Sequence, residues 1–156
     1  MKRFSVLTTL FALTLGVSLY AAEEIDLKDV KCVMNPKGQA KAASFREHKD
    51  GKVFFCCNNC PKAFETKVKA GDKVVIAKAN KQLVETKQAK QEKCPFTGGP
   101  LKTELVVAGA KIQFCCNNCK GKAEKMEGDE QVVALFGDEA FKKAGFKVEK
   151  EEKKAE

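Results

Sequence analysis

The sequence predicts an α+β protein: two small β-hairpin–helix modules joined by a helix, with a C-terminal helical extension. Three observations carry that prediction. The hexapeptide FCCNNC occurs twice, at Phe55–Cys60 and Phe114–Cys119. Runs rich in β-formers precede each copy, and a four-residue spacing of apolar positions follows it. All eight cysteines obey one repeating scheme. Cys56, Cys57 and Cys60 match Cys115, Cys116 and Cys119 at an offset of 59 positions, and each half adds one remote cysteine, Cys32 or Cys94. The intervening run is 23 residues in the first half and 20 in the second. Such regularity marks a duplicated unit.

The chain opens with Lys2 and Arg3, an uncharged run from Phe4 to Ala22, and then Glu23 and Glu24. Residues 1–22 read as a secretory signal peptide, with Leu19 or Tyr20 as an imperfect −3 residue. An uncleaved anchor is the alternative, because the run is just long enough to span a bilayer. Either way the remainder is expected to be exported, periplasmic or secreted. The first module, 23–72, starts with Cys32 in CVMNP. QAKAASFREH is its first strand, and DGKVFFCC its second, after a Gly turn. Cys60, Phe64 and Val68 then share a helical face, with Asn58 as the expected N-cap. Phe45, Phe54, Phe55 and Phe64 are assigned to the core. The connector, 73–92, places Ile76, Ala79, Leu83 and Val84 on one face of a helix over 73–88.

The second module, 93–128, repeats the plan: Cys94 in CPFTGGP, strands in LKTELVVA and AGAKIQFCC, then a helix through Cys119, Ala123 and Met126. Asn117 is its expected N-cap and Phe114 its core aromatic. The extension, 129–148, has Val132, Val133, Leu135, Phe136, Phe141 and Phe146 to bury and is expected to pack back on the modules. Residues 149–156, EKEEKKAE, have nothing to bury and read as disordered.

Charge excludes more than it suggests. The 156-residue chain carries a net +8, and Lys2 and Arg3 leave with the leader. Lys and Glu are mixed and no aromatics interleave the basic residues, so neither a nucleic acid nor, after leader cleavage, a membrane is an expected partner. No protein partner is indicated. The single histidine, His48, sits in FREHKDGK and has no counterpart in the second repeat. A duplicated site needs matched ligands, so His48 reads as an exposed loop residue. No Ser/His/Asp set, phosphate loop or paired acidic motif is present, and the chain is not expected to be an enzyme. Met34 and Met126 are assigned to packing.

The cysteines carry the chemistry. Residues three or four apart on a helix share a face. Adjacent cysteines on a strand point to opposite sides. A chain turn at the double cysteine therefore lets Cys32, Cys56, Cys57 and Cys60 converge, and likewise Cys94, Cys115, Cys116 and Cys119. Tetrahedral Zn²⁺ is suited by four such thiolates, and Cu⁺ is the soft-metal competitor. If the second cysteine of each pair points away, a three-cysteine site remains. A helix N-terminus favours thiolate over thiol. Modules this small also need a staple. Two other readings stay open. Export favours disulfides, which makes a disulfide-stapled structural or interaction protein without metal an alternative. CNNC is also a C-x-x-C redox motif, although no βαβ context surrounds it.

The segments CVMNP…DGKVFFCCNNCPKAFE and CPFTGGP…VAGAKIQFCCNNCKGKAE resemble the YHS and TRASH-like heavy-metal-binding modules. The resemblance covers about Lys31–Val68 and Lys93–Met126. It implies treble-clef-like modules, with Cys32, Cys56 and Cys60, and Cys94, Cys115 and Cys119, at the family's three cysteine positions. Cys57 and Cys116 fall where the family has Ser or Cys. The first repeat's spacing is longer than the family's, and Ala123 stands where a helix Phe is usual. The resemblance further implies a role in metal handling by exported proteins.

Overall fold

The computed structural model describes residues 25–149; residues 1–24, which include the expected signal peptide, and residues 150–156, most of the expected disordered tail, lie outside them. The chain is α+β. In order, β1 (Lys41–His48), β2 (Gly51–Phe55), α1 (Asn59–Lys69), α2 (Lys73–Glu85), β3 (Ala89–Lys90), β4 (Thr103–Val107), β5 (Ala110–Phe114), α3 (Asn117–Glu124), α4 (Gly128–Phe136), α5 (Asp138–Lys143) and β6 (Lys147–Val148) form three two-stranded antiparallel sheets and five helices among the described residues. None of these helices is long and apolar enough to cross a membrane.

Each repeat is a hairpin followed by a helix. β1 pairs with β2 from His48↔Gly51, with an irregularity between Lys41 and Phe45. β4 pairs with β5 from Val107↔Ala110 to Thr103↔Phe114. Both hairpins turn on two residues with positive φ: Lys49 (49°) and Asp50 (69°), and Ala108 (45°) and Gly109 (88°). Positive φ at both loop positions matches the right-handed strand twist. The first turn is therefore Lys49–Asp50, and the expected turn glycine, Gly51, is instead the first residue of β2. It is glycine for packing: an added Cβ would lie 2.7 Å from Leu83 Cδ2 and 2.9 Å from Val148 Cγ1.

The connector helix α2 is the hub. Asp72 caps it, accepting from the Val74 and Val75 N–H groups at 3.1 Å each. It contacts α1, β2, β5, α4 and α5. That central position explains why Val75, Ala77, Ala79, Leu83 and Val84 are buried together with the polar Asn80 and Gln82. One apolar cluster runs through both repeats, from Val53, Phe55 and Phe64 through Leu83 to Ile112, Phe114, Leu135 and Phe136. The extension packs back as two helices. Val132, Leu135, Phe136 and Phe141 are buried, and Val133 and Phe146 pack against the cluster. It ends as a strand: β6 pairs with β3, Ala89↔Val148 and Lys90↔Lys147, so the connector is helical only to Glu85. The Glu149 N–H continues this pairing, donating to Gln88 O at 2.9 Å.

Two side chains differ from expectation. Phe45 is 39 % exposed rather than core. Beside the β1 irregularity its ring leans on Phe54, 6.3 Å away, under the Lys52 ammonium at 5.5 Å. His48 is the half-buried last residue of β1, not an exposed loop residue. Its Nε2 lies 2.9 Å from Asn80 Oδ1, and its ring meets Phe64 edge-on at 5.8 Å. Asn80 in turn donates to Phe136 O at 2.8 Å and Asp138 Oδ1 at 3.0 Å. The hairpin end is thereby tied to the connector and the extension.

Candidate metal centre

Two groups of three thiols form where the strands end. Cys32, Cys56 and Cys60 bring their sulfurs within 4.8 Å of one another, and so do Cys94, Cys115 and Cys119. In each group the remote cysteine is buried. Cys56 Sγ and Cys60 Sγ are 3.7 Å apart, and Cys115 Sγ and Cys119 Sγ are also 3.7 Å apart. The first cysteine of each pair extends its strand and the last opens its helix, so the turn between them folds the two sulfurs together.

The remote cysteine comes from a closed loop. The Cys32 N–H donates to Gly38 O, and the Cys94 N–H to Gly99 O, both at 2.9 Å. Gly38 sits so close to the double cysteine that an added Cβ would lie 2.8 Å from Cys56 Cβ and 2.9 Å from its Sγ. At Gly99 the matching approach to Cys115 Cβ is 3.4 Å. In the second loop Thr97 Oγ1 also lies 3.2 Å from Cys115 Sγ.

Two glutamines hold these parts together, and each makes the same three bonds. Gln82 accepts from the Phe54 N–H at 2.7 Å and donates to Phe54 O at 3.1 Å and Lys31 O at 2.9 Å. Gln91 accepts from the Gln113 N–H and donates to Gln113 O and Lys93 O, all at 2.8 Å. Phe54 and Gln113 both stand two residues before the double cysteine, and Lys31 and Lys93 both precede the remote cysteine. Each amide acts as a short strand along the free edge of β2 or β5 and joins it to the entry of the loop. Gln88 adds a similar pair to Lys52 N and O, both at 2.7 Å. The sequence carried no periodic signal for these glutamines, because their partners are backbone atoms of distant segments.

The outer cysteines, Cys57 and Cys116, lie outside the two groups and are exposed. Cys57 Sγ is 3.4 Å from Cys60 Sγ, and Cys116 Sγ is 3.7 Å from Cys115 Sγ. The helix starts match the expected N-caps in the first repeat only, and neither N-cap residue makes a side-chain capping bond. Asn58 occupies the N-cap position of α1 without a side-chain capping bond, and α3 has Cys116 as N-cap, with Asn117 already helical. The Cys60 and Asn59 N–H groups, with the Cys60 thiol, hold the Cys57 thiol down at about 7. The Cys119 N–H, the Cys115 thiol and the Asn118 N–H outweigh desolvation and lower Cys116.

Within the groups the electrostatics run the other way. Burial, then the neighbouring thiols, pushes Cys60 far up and Cys119 up to about 12. Burial, then the Cys32 thiol, raises Cys56. Cys94 differs: burial pushes it up, but the Cys115, Thr97 and Phe96 N–H groups and the Thr97 hydroxyl outweigh that and hold it at about 6. Three thiols this close cannot all ionise unaided, because each thiolate disfavours the next. A bound cation reverses that and deprotonates its ligands. Among the described residues, His48 belongs to neither group. Comparison with protein-family models, curated proteins and solved structures gave no match to this chain.

Proposed function

We propose that this is an exported, non-enzymatic metal-binding protein whose two repeats are YHS/TRASH-like, treble-clef-like modules, each taking one thiophilic ion. Zn²⁺ is the leading ion and Cu⁺ the competitor. The observation that carries the reading is the matched pair of three-thiol groups, one per repeat. Their 3.7 Å sulfur separations agree with the edge of about 3.8 Å that a tetrahedron with Zn–S bonds of about 2.3 Å requires. In this reading the trios are the ligands, the fourth position of each ion is open, and Cys57 and Cys116 lie exposed beside it at the helix starts.

The test is metal content together with a free-thiol count on native protein purified without reductant. Two ions per chain and no disulfide are expected. Four disulfides and no metal would establish the disulfide-stapled alternative instead. Cys60→Ser should reduce the stoichiometry from two ions to one, with a loss in that site beyond the roughly 10–100-fold that supporting residues cost. Cys57→Ser should keep both ions; loss of the first ion there would make Cys57 a fourth ligand.

A further inference from the structure

Cys57 is the exposed thiol of the first site, and its sulfur lies 3.4 Å from that of Cys60, a member of the trio. Cys32 is buried, and Cys56 and Cys60 are half-buried. An oxidant arriving from solvent therefore meets Cys57 first, and Cys57 then has a trio sulfur within reach. The geometry points to Cys57 and Cys60 as a thiol–disulfide site through which hydrogen peroxide opens the first metal site. This rests on the metal reading above.

The chemistry closes on named atoms. The Cys57 sulfur attacks one peroxide oxygen, the O–O bond breaks, and Cys57 becomes a sulfenic acid as the first water leaves. The Cys60 thiolate then attacks the Cys57 sulfur. An S–S bond forms, the S–O bond breaks, and hydroxide leaves as the second water with one proton from solvent. The two sulfurs supply the two electrons that reduce the peroxide, and Zn²⁺ keeps its charge throughout. The ion retains only Cys32 and Cys56 and is released.

The second repeat differs in this contact. Its outer thiol, Cys116, lies 3.7 Å from its chain neighbour Cys115. Consecutive Cα atoms are about 3.8 Å apart across a trans peptide, below the roughly 4.4–6.8 Å that ordinary disulfides span. The Cys115–Cys116 contact therefore does not lead to a bridge, and a bridge in the second site has to use Cys119, which also neighbours Cys116.

The experiment uses the full chain, reduced, loaded with Zn²⁺ and titrated with hydrogen peroxide. Release is followed with a chromophoric chelator. Differential alkylation and fragment-ion sequencing of the peptide carrying Cys56, Cys57 and Cys60 identify the first bridge. The first equivalent should join Cys57 to Cys60 and release one of two ions. Cys57→Ser, which keeps a side chain suited to a helix start, should slow that release at least about tenfold by removing the attacking thiol. A first bridge between any other pair, or wild-type release from Cys57→Ser, overturns the inference. Failure of the metal reading appears separately, as no Zn²⁺ bound before peroxide is added, and the disulfide map then judges the Cys57–Cys60 bridge by itself.

Discussion

The two repeats share a backbone plan and differ in what fills it. In both, the remote cysteine closes a loop on a glycine carbonyl, and a glutamine joins that loop to the strand before the double cysteine. The filling is different. In the first repeat Phe64 from α1 packs on Phe55 at 5.3 Å. In the second, Ala123 takes the place of Phe64, and the ring stacked on Phe114, at 5.8 Å, is Phe96 from the cysteine loop. His48 ends β1, whereas the buried Val107 ends β4. The common features are those that touch the backbone around the thiols, and the divergent ones fill space. Thiol convergence depends on a few backbone bonds, while a core tolerates different side chains of suitable volume.

That contrast is sharpest at the glutamines. Gln82 is 1 % exposed and Gln91 is half-buried. Gln82→Leu leaves the Phe54 N–H and two carbonyls without their partner, and should cost about 2–4 kcal/mol in urea denaturation. Gln91→Leu should cost about 1–2 kcal/mol, because water reaches part of its site. Equal losses would mean that the two clamps are not graded by burial.

The glycines give a smaller difference. Gly38→Ala drives a Cβ to 2.8 Å from Cys56 Cβ, whereas at Gly99 the matching distance is 3.4 Å. Gly38→Ala should therefore weaken metal binding in the first site by about tenfold, the low end for a supporting residue, and Gly99→Ala should change the second site little. Competition titrations with a chromophoric chelator measure both. A larger effect from Gly99 would reverse the order of loop closeness.

The smallest expected effect concerns pH and separates the repeats by chemistry. Burial holds His48 below its ordinary 6.5, although the Asn80 hydrogen bond pulls the other way. Lys49 lowers it further and Asp138 raises it. The unfolded chain thus takes up this proton at higher pH than the folded one. The His48 contribution to stability is full above pH 6.5 and declines as pH falls below it. Denaturation of His48→Gln across pH 5–8 should show a flatter acid limb; an unchanged slope would remove His48 as its source. Val107, at the equivalent place, has no proton to exchange.

Much of the architecture was legible locally. Cys60, Phe64 and Val68 lie on α1, and Ile76, Ala79 and Leu83 on α2, because a 3.6-residue repeat needs only chain neighbours to reveal it. Phe45 and His48 were misplaced for the opposite reason. The strand irregularity that exposes Phe45 and the Asn80 side chain that draws in His48 are set by pairing across the fold. Asn58 is the N-cap residue of α1 as its position predicts, whereas α3 starts one residue earlier than predicted, with Cys116 as its N-cap.

By itself, then, the sequence determined the duplication, the hairpin–helix order, the connector helix and the eight thiols that matter. Only the tertiary structure decided which three thiols converge in each repeat, which one stays outside, and that Gln82 and Gln91 hold the strands to the loops. It also decided that the chain closes on itself through β3 and β6. Periodicity and spacing follow from bonds along the chain. Convergence follows from the turn taken at the double cysteine and from hydrogen bonds between segments far apart in sequence, which leave no repeating mark.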